Sequence, residues 1–364
     1  MSKITRFTCL FLSFLLVSCA VASPTVPTVT WSDAPADTPV KETTSISTTN
    51  TSLALSEPGP YAVKEREMKF NDPTRDGQEI EVTYWLPIKD GKPDLSGAPY
   101  PVIIYSHGGD VSDGMFHRTD NSQLLAHLVS YGYVAFAPGY KTEQALTFTD
   151  RPMDILVLID ELDRLSEGEF AGLLDMNSIG MVGISAGSPT TLQMGGARLD
   201  DNYFDNWCTE DPDSIYCPSN LVNKYHQAVS ETLLKDSEGL YYVKNDPRMR
   251  ALAILSPGFL PMFGERGLAS VSLPIIILAP THDEVFSYQH ETVLMYHYLG
   301  SKDRYLINVI NGSHNSTLTT TPGQKILFTA FFGYYIKSQE EYTQYLTEDY
   351  VNNLQGLSWE VYKP

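Results

Sequence analysis

The chain has 364 residues, 42% of them hydrophobic and 19% charged, with a formal net charge of −19. That composition is globular and long enough for one large domain or two small ones, and no internal repeat divides it. A field of that sign repels phosphate backbones and no basic patch offsets it, which argues against a nucleic-acid partner.

Lys3 and Arg6 precede an apolar stretch at 7–17, and small residues follow. This is the pattern of a bacterial-type secretory signal over residues 1–22. Its apolar core is too short for a membrane-spanning helix. The stretch ends Leu16-Val17-Ser18-Cys19, which matches a lipobox with Cys19 as the lipidated residue. The alternative is simple cleavage after Ala22, because Ala20-Val21-Ala22 fits the small-x-small rule. Cleavage before Cys19 leaves 23 basic against 44 acidic side chains, a net of −21. Residues 23–58 read as a linker, since 20 of the 36 are Ser, Thr or Pro and cannot bury enough apolar surface to offset ordering. The expected location is therefore the cell envelope, through a lipid anchor in the outer membrane or periplasm, or the secreted fraction.

From residue 61 the pattern alternates. Residues 61–70 and 78–87 read as two half-exposed antiparallel strands. The run 101–109, PVIIYSHGG, is a buried strand ending in glycines, 121–132 has helical spacing, and 133–139 is a second buried strand. An amphipathic helix over 153–165 leads to a third buried strand, SIGMVGI at 178–184, followed by helix over 188–199. After an interruption, 250–257, 273–280 and 304–310 are strands, and 323–337 and 340–354 are helices. Buried strands alternating with helices predict a mostly parallel sheet with helices on both faces and an antiparallel pair at its front. In such sheets function gathers at the carboxyl ends of the strands.

Those ends carry a pattern. The third buried strand runs into Gly183-Ile184-Ser185-Ala186-Gly187, the strand at 273–280 into Thr281-His282-Asp283-Glu284, and the strand at 304–310 into Asn311-Gly312-Ser313-His314. The order serine, acid, histidine is that of the α/β-hydrolase triad. Gly183 and Gly187 suit a sharp strand-to-helix elbow that exposes Ser185 and places the Ala186 N–H at a helix start, facing a developing oxyanion. The SHGG after the first buried strand supplies the second donor: Gly109 first, Gly108 next. His314 is the expected general base and Asp283 its partner. Glu284 sits one residue past the acid slot, and His282 points the other way. His290 and His297 fall on the following helix, and His117 and His226 lack a matching context. His107 reads as a residue that packs and hydrogen-bonds to hold its loop. No metal or organic cofactor is implied.

Cys208 and Cys217 stand nine apart, which in an exported chain reads as a local disulfide. Metal binding is the weaker alternative, with no His or third Cys nearby.

The segments 72–87, 101–109, 151–162, 183–188, 246–259, 281–285 and 312–316 together resemble α/β-hydrolases of the bacterial dienelactone-hydrolase-like group, which includes relatives of platelet-activating-factor acetylhydrolase and of polyester hydrolases. The resemblance implies an α/β-hydrolase fold over 59–364 and a structural Arg151–Asp154 pair near the elbow. Dienelactone hydrolases proper use a cysteine nucleophile; Ser185 here implies ordinary ester hydrolysis. Ile184 also departs from many relatives. A third departure is the insertion 199–247, with ten acidic residues, three lysines and seven Tyr, Phe or Trp. It reads either as a cap forming one wall of a substrate pocket or as a solvated loop cluster. The expected activity is hydrolysis of a small-molecule carboxylic ester. A peptidase or phospholipase on the same fold, or a non-catalytic envelope binding protein, are the alternatives.

Overall fold

A computed structural model describes residues 55–109, 118–140 and 147–360. The signal segment, Cys19, the linker through residue 54 and His117 lie outside the described residues. The folded domain begins by Leu55, four residues inside the segment expected as linker. Leu55 is buried, and its carbonyl accepts a hydrogen bond from His127 Nε2 at 2.9 Å. An apolar side chain with a core to enter outweighs the Ser/Thr/Pro composition around it.

The architecture is α/β, with a central mixed sheet that is mostly parallel. Its strands are β1 (Ala62–Asp72), β2 (Gln78–Lys89), β3 (Lys92–Pro93), β4 (Tyr100–Ser106), β5 (Val134–Pro138) and β6 (Leu174–Ile184). A small hairpin, β7 (Leu234–Lys235) and β8 (Tyr241–Tyr242), stands apart, and the sheet resumes with β9 (Met249–Leu255), β10 (Ile275–Pro280), β11 (Arg304–Val309) and β12 (Leu357–Trp359). The order across the sheet is β1-β2-β5-β4-β6-β9-β10-β11-β12, with β3 paired to β2. The run from β5 to β11 is parallel; β1, β2 and β12 are antiparallel additions. The chain moves outward one way from β4 to β5 and then the other way to β6. The carboxyl ends of β4 and β6 therefore flank the point where strand order reverses, where open sheets leave a crevice.

The helices are α1 (Ser122–Ser130), α2 (Asp150–Ser166), α3 (Ser188–Met194), α4 (Asp201–Glu210), α5 (Ser219–Thr232), α6 (Gly264–Leu268), α7 (Leu294–Tyr298), α8 (Pro322–Lys337) and α9 (Glu348–Asn352). They cover both faces, as the period-2 alternation of the strands requires. Val102, Ile104, Val134 and Phe136 pack in one core with Ile155, Leu158 and Leu162 of α2. Ile103, Tyr105, Ala135 and Ala137 pack in the other with Leu124 and Leu128 of α1 and Phe328 and Phe331 of α8. Helix α8 is apolar around its circumference because it lies between the sheet and the tyrosines of residues 340–350. Its start is fixed by a capping box, Thr321 Oγ1 taking the Gln324 N–H at 3.2 Å and Gln324 Oε1 the Thr321 N–H at 2.7 Å.

The C-terminal segment departs from expectation. Residues 340–354 form a 3-10 turn (Glu340–Tyr345) and the short α9. Thr347 starts a new helix by accepting the Tyr350 N–H at 3.3 Å, and β12 then covers the outer edge of β11. The antiparallel front pair is present, and its turn is latched to α2: Arg75 pairs with both Asp72 and Asp154. The expected Arg151–Asp154 pair is thereby replaced, Arg151 reaching instead for the loop after β4.

Phe331 is fully buried against both the sheet and α8 neighbours. Phe331→Ala should lower unfolding stability by about 3–5 kcal/mol, read as a fall in the urea midpoint with unchanged m-value.

Candidate active site

Parallel register brings the strand ends into line. Ser106 of β4 lies opposite Gly183 of β6, Ile184 opposite Leu255 of β9, Leu255 opposite Leu278 of β10, and Pro280 opposite Val309 of β11. The loops after these strands must then meet on one edge.

Ser185 sits where β6 stops. Its φ is +50°, in the left-handed region that a serine occupies only when its surroundings impose it. The turn Ser185–Gly187 runs directly into α3. A Cβ at Gly187 would lie 1.9 Å from the Ser106 carbonyl oxygen, and one at Gly183 would lie 2.2 Å from Thr191 Oγ1 and 2.5 Å from the Gly187 carbonyl oxygen. Both glycines are therefore required for the turn to approach β4 and α3 this closely. Ala186 lies in the first turn of this helical run, where backbone N–H groups have no intrahelical acceptor.

The serine, histidine and acid meet. The Ser185 hydroxyl donates to His314 Nε2 at 2.9 Å, and His314 Nδ1–H donates to Asp283 Oδ2 at 2.8 Å. The acid's partnership with Nδ1 sets the tautomer and leaves Nε2 as the acceptor. Asp283 is itself held, its Oδ1 accepting the N–H groups of Val285 at 2.8 Å and Phe286 at 2.9 Å. That leaves its other oxygen turned to the imidazole. The His314 backbone is fixed at both ends. Its N–H donates to Glu284 Oε2 at 2.9 Å, and its carbonyl accepts from Ser256 Oγ at 2.6 Å. Phe286 packs edge-on against the ring at 5.1 Å.

The other candidates separate from this cluster. Glu284 is a backbone anchor for the histidine. His282 is exposed and near Thr281 Oγ1, His226 meets Asp201 and Asp205 on the surface, and His290 is exposed at a helix start. His107 holds its loop: Nδ1–H donates to the Gly108 carbonyl at 2.7 Å, and the ring packs on Tyr140 at 4.8 Å. Gly109 follows it with φ +66°.

The insertion is mostly exposed or half-exposed but sends a few side chains inward. Phe204, Tyr216, Tyr225 and Val229 are buried, and Cys208 and Cys217 form a disulfide. Tyr216 reaches the wall behind the histidine. Its hydroxyl donates to Glu291 Oε2 at 2.7 Å, and its ring packs on Phe259 and Phe286 at 5.4 and 6.3 Å. The Phe259 N–H donates to the same Glu291 oxygen at 3.1 Å. An open cleft of about 460 Å³ lies between the disulfide loop and the acid turn, with Trp207, Ile215, Tyr216, Val285 and Glu291 on its walls. Neither this cleft nor a larger cavity of about 790 Å³ is lined by Ser185, Asp283 or His314. The larger cavity is lined by Tyr61, Tyr100, Tyr131, Lys337, Tyr342 and Tyr345 at the amino ends of β4 and β6. Volume therefore does not mark the candidate site here; the polar geometry does.

Glu291 and the Phe286–Tyr216 contacts have no signature in the sequence, because nothing local ties Glu291 to a tyrosine 75 residues earlier. Comparison of the chain with protein-family models finds no match, and comparison with curated proteins finds none.

Burial pushes the Glu291 carboxyl up to about 7 from 4.5, against the opposing hydrogen bonds of Tyr216, Ser287, Phe259 and Leu260. The folded state thus holds this proton more tightly than the unfolded chain. The resulting stabilisation is full below pH 4.5 and lost as pH rises through 7. Glu291→Gln should flatten that part of the decline, visible as a smaller difference between urea midpoints at pH 5 and pH 7.5 than in the unaltered protein.

Proposed function

We propose that this protein is an exported serine hydrolase of carboxylic esters with an α/β-hydrolase fold. The observation that carries the reading is the continuous Ser185–His314–Asp283 hydrogen-bonded line, 2.9 Å and 2.8 Å at its two links, with its serine on a left-handed turn. Distances of that size allow proton transfer without rearrangement. His314 takes the Ser185 proton as Oγ attacks the acyl carbonyl. Asp283 stabilises the imidazolium, and the N–H groups of Gly109 and Ala186 receive the oxyanion. Collapse expels the alcohol, protonated by His314. Water, deprotonated by the same imidazole, then releases the acid and regenerates Ser185.

The fold assignment is supported by the strand order, the reversal at β4 and the chain order of the three groups. The packing of Tyr216 from the insertion on Phe259 and Phe286, the latter against the His314 ring, supports a cap that shapes the substrate pocket. The Cys208–Cys217 disulfide supports folding in an oxidising compartment, in keeping with export and with a lipid anchor at Cys19. No helix among the described residues is long and apolar enough to cross a membrane, so attachment in this reading rests on the anchor.

The purified mature protein should hydrolyse short p-nitrophenyl esters and take up a fluorophosphonate on Ser185. Ser185→Ala and His314→Ala should abolish both, and Asp283→Asn should lower kcat roughly 10³- to 10⁴-fold. A folded wild-type protein that neither hydrolyses nor labels would overturn the reading and favour a ligand-binding role.

A further inference from the structure

The donor proposed on the loop after β4 is a single backbone N–H on a glycine. Glycine has the widest conformational freedom of any residue, so something outside the loop must aim it. A planar trans peptide places C=O and N–H on opposite sides of one rigid plate. Holding the oxygen of such a plate therefore aims its N–H.

Both plates in question are held by their oxygens. The plate carrying the Gly109 N–H has the Gly108 oxygen, which takes the His107 Nδ1–H at 2.7 Å. The plate carrying the Gly108 N–H has the His107 oxygen, which takes Arg151 Nη1–H at 2.8 Å. Arg151 Nη2 also donates to the Gly109 carbonyl, so one guanidinium holds residues 107 and 109 together. Arg151 comes from α2, not from the loop, and it is fully buried. Its guanidinium lies 4.5 Å over the ring of Tyr140. Tyr140 in turn packs on the His107 ring and donates through its hydroxyl to Ser106 Oγ at 3.0 Å. Burying a guanidinium costs several kcal/mol of hydration unless its donors are used. The planar fork is suited to two fixed acceptors in a way that an ammonium is not.

We infer that Arg151 is a positioning residue for the oxyanion site: it fixes the His107–Gly109 loop from behind so that its backbone N–H groups stand ready for the oxyanion before substrate arrives. This rests on the hydrolase reading for its catalytic consequence, but the clamp itself is a statement about loop geometry. Arg151 touches no reacting atom, so its removal acts on the transition state, where the oxyanion exists, and hardly on ground-state binding.

The test compares Arg151→Met, Arg151→Lys, His107→Leu and His107→Asn with the unaltered protein. Two readouts are taken: kcat and KM for p-nitrophenyl acetate, and hydrogen–deuterium exchange of peptic fragments covering 103–109, with fragments covering 281–286 and 312–318 as controls. Arg151→Met should lower kcat about ten- to hundredfold, below the loss expected for deleting a donor outright, with KM within about twofold. Exchange should accelerate in 103–109 and stay unchanged in the controls. Arg151→Lys should recover part of kcat. Should Arg151→Met fail to fold, the His107 pair decides. Asn carries an amide N–H near the position of Nδ1, so His107→Asn should retain most of kcat while His107→Leu loses it. A folded Arg151→Met protein with kcat within twofold, or with unchanged exchange in 103–109, would overturn the clamp. If the unaltered protein shows no hydrolysis, the hydrolase reading fails, and the exchange experiment still decides whether Arg151 holds the loop.

Discussion

The close approach of the Ser185 turn to the end of β4 is the constraint on which the site depends. Parallel pairing sets Ser106 beside Gly183, and the chain must then turn into α3 within three residues. There is no room for a side chain at Gly187, whose Cβ would fall 1.9 Å from a backbone oxygen that cannot move without breaking the sheet. Once that contact is made, the rest follows from register. The loop after β4 lies beside the serine, Ser256 after β9 lies beside it on the other side, and the loops after β10 and β11 bring Asp283 and His314 over the top.

Magnitudes indicate what holds the arrangement. A serine in left-handed geometry costs of order 1–3 kcal/mol, and each hydrogen bond along the triad returns about 1 kcal/mol net. The polar line therefore comes close to balancing its own strain and does not stabilise the fold by much. The offset comes from burial: β4, β6, β9 and β10 are enclosed on both faces by apolar residues of α1, α2, α3 and α8. Such a core stabilises by tens of kcal/mol before conformational entropy is counted. The strands that carry the site are buried, and two of its three groups are held from a second side: the Asp283 carboxylate by two backbone N–H groups, and the His314 backbone by Glu284 and Ser256.

Much of this was legible in the sequence because the signals are local. Uninterrupted apolar runs mark buried strands, and glycines around Ser185 mark a turn without room. The groups that follow three strands fall into the serine, acid, histidine order. What escaped was non-local. Leu55 is buried although the segment 23–58 that holds it is mostly Ser, Thr and Pro, because the core receives it and composition does not register the core. The single helix expected over 340–354 is broken by a cap at Thr347, and the edge strand after it is only three residues long, too short for an alternating pattern to show. Glu291, Tyr216 and Phe286 come together from separate parts of the chain. Arg151 was visible, but its partners were not, since backbone carbonyls carry no sequence signature.

The most direct test of the central claim is a crystal structure of the protein after reaction with a small organophosphonate. The account predicts a tetrahedral phosphorus on Ser185 Oγ, with its unesterified oxygen 2.7–3.1 Å from the N–H groups of Gly109 and Ala186 and His314 still bonded to Asp283. An adduct on another residue, or an oxygen on Ser185 turned away from both N–H groups, would contradict it.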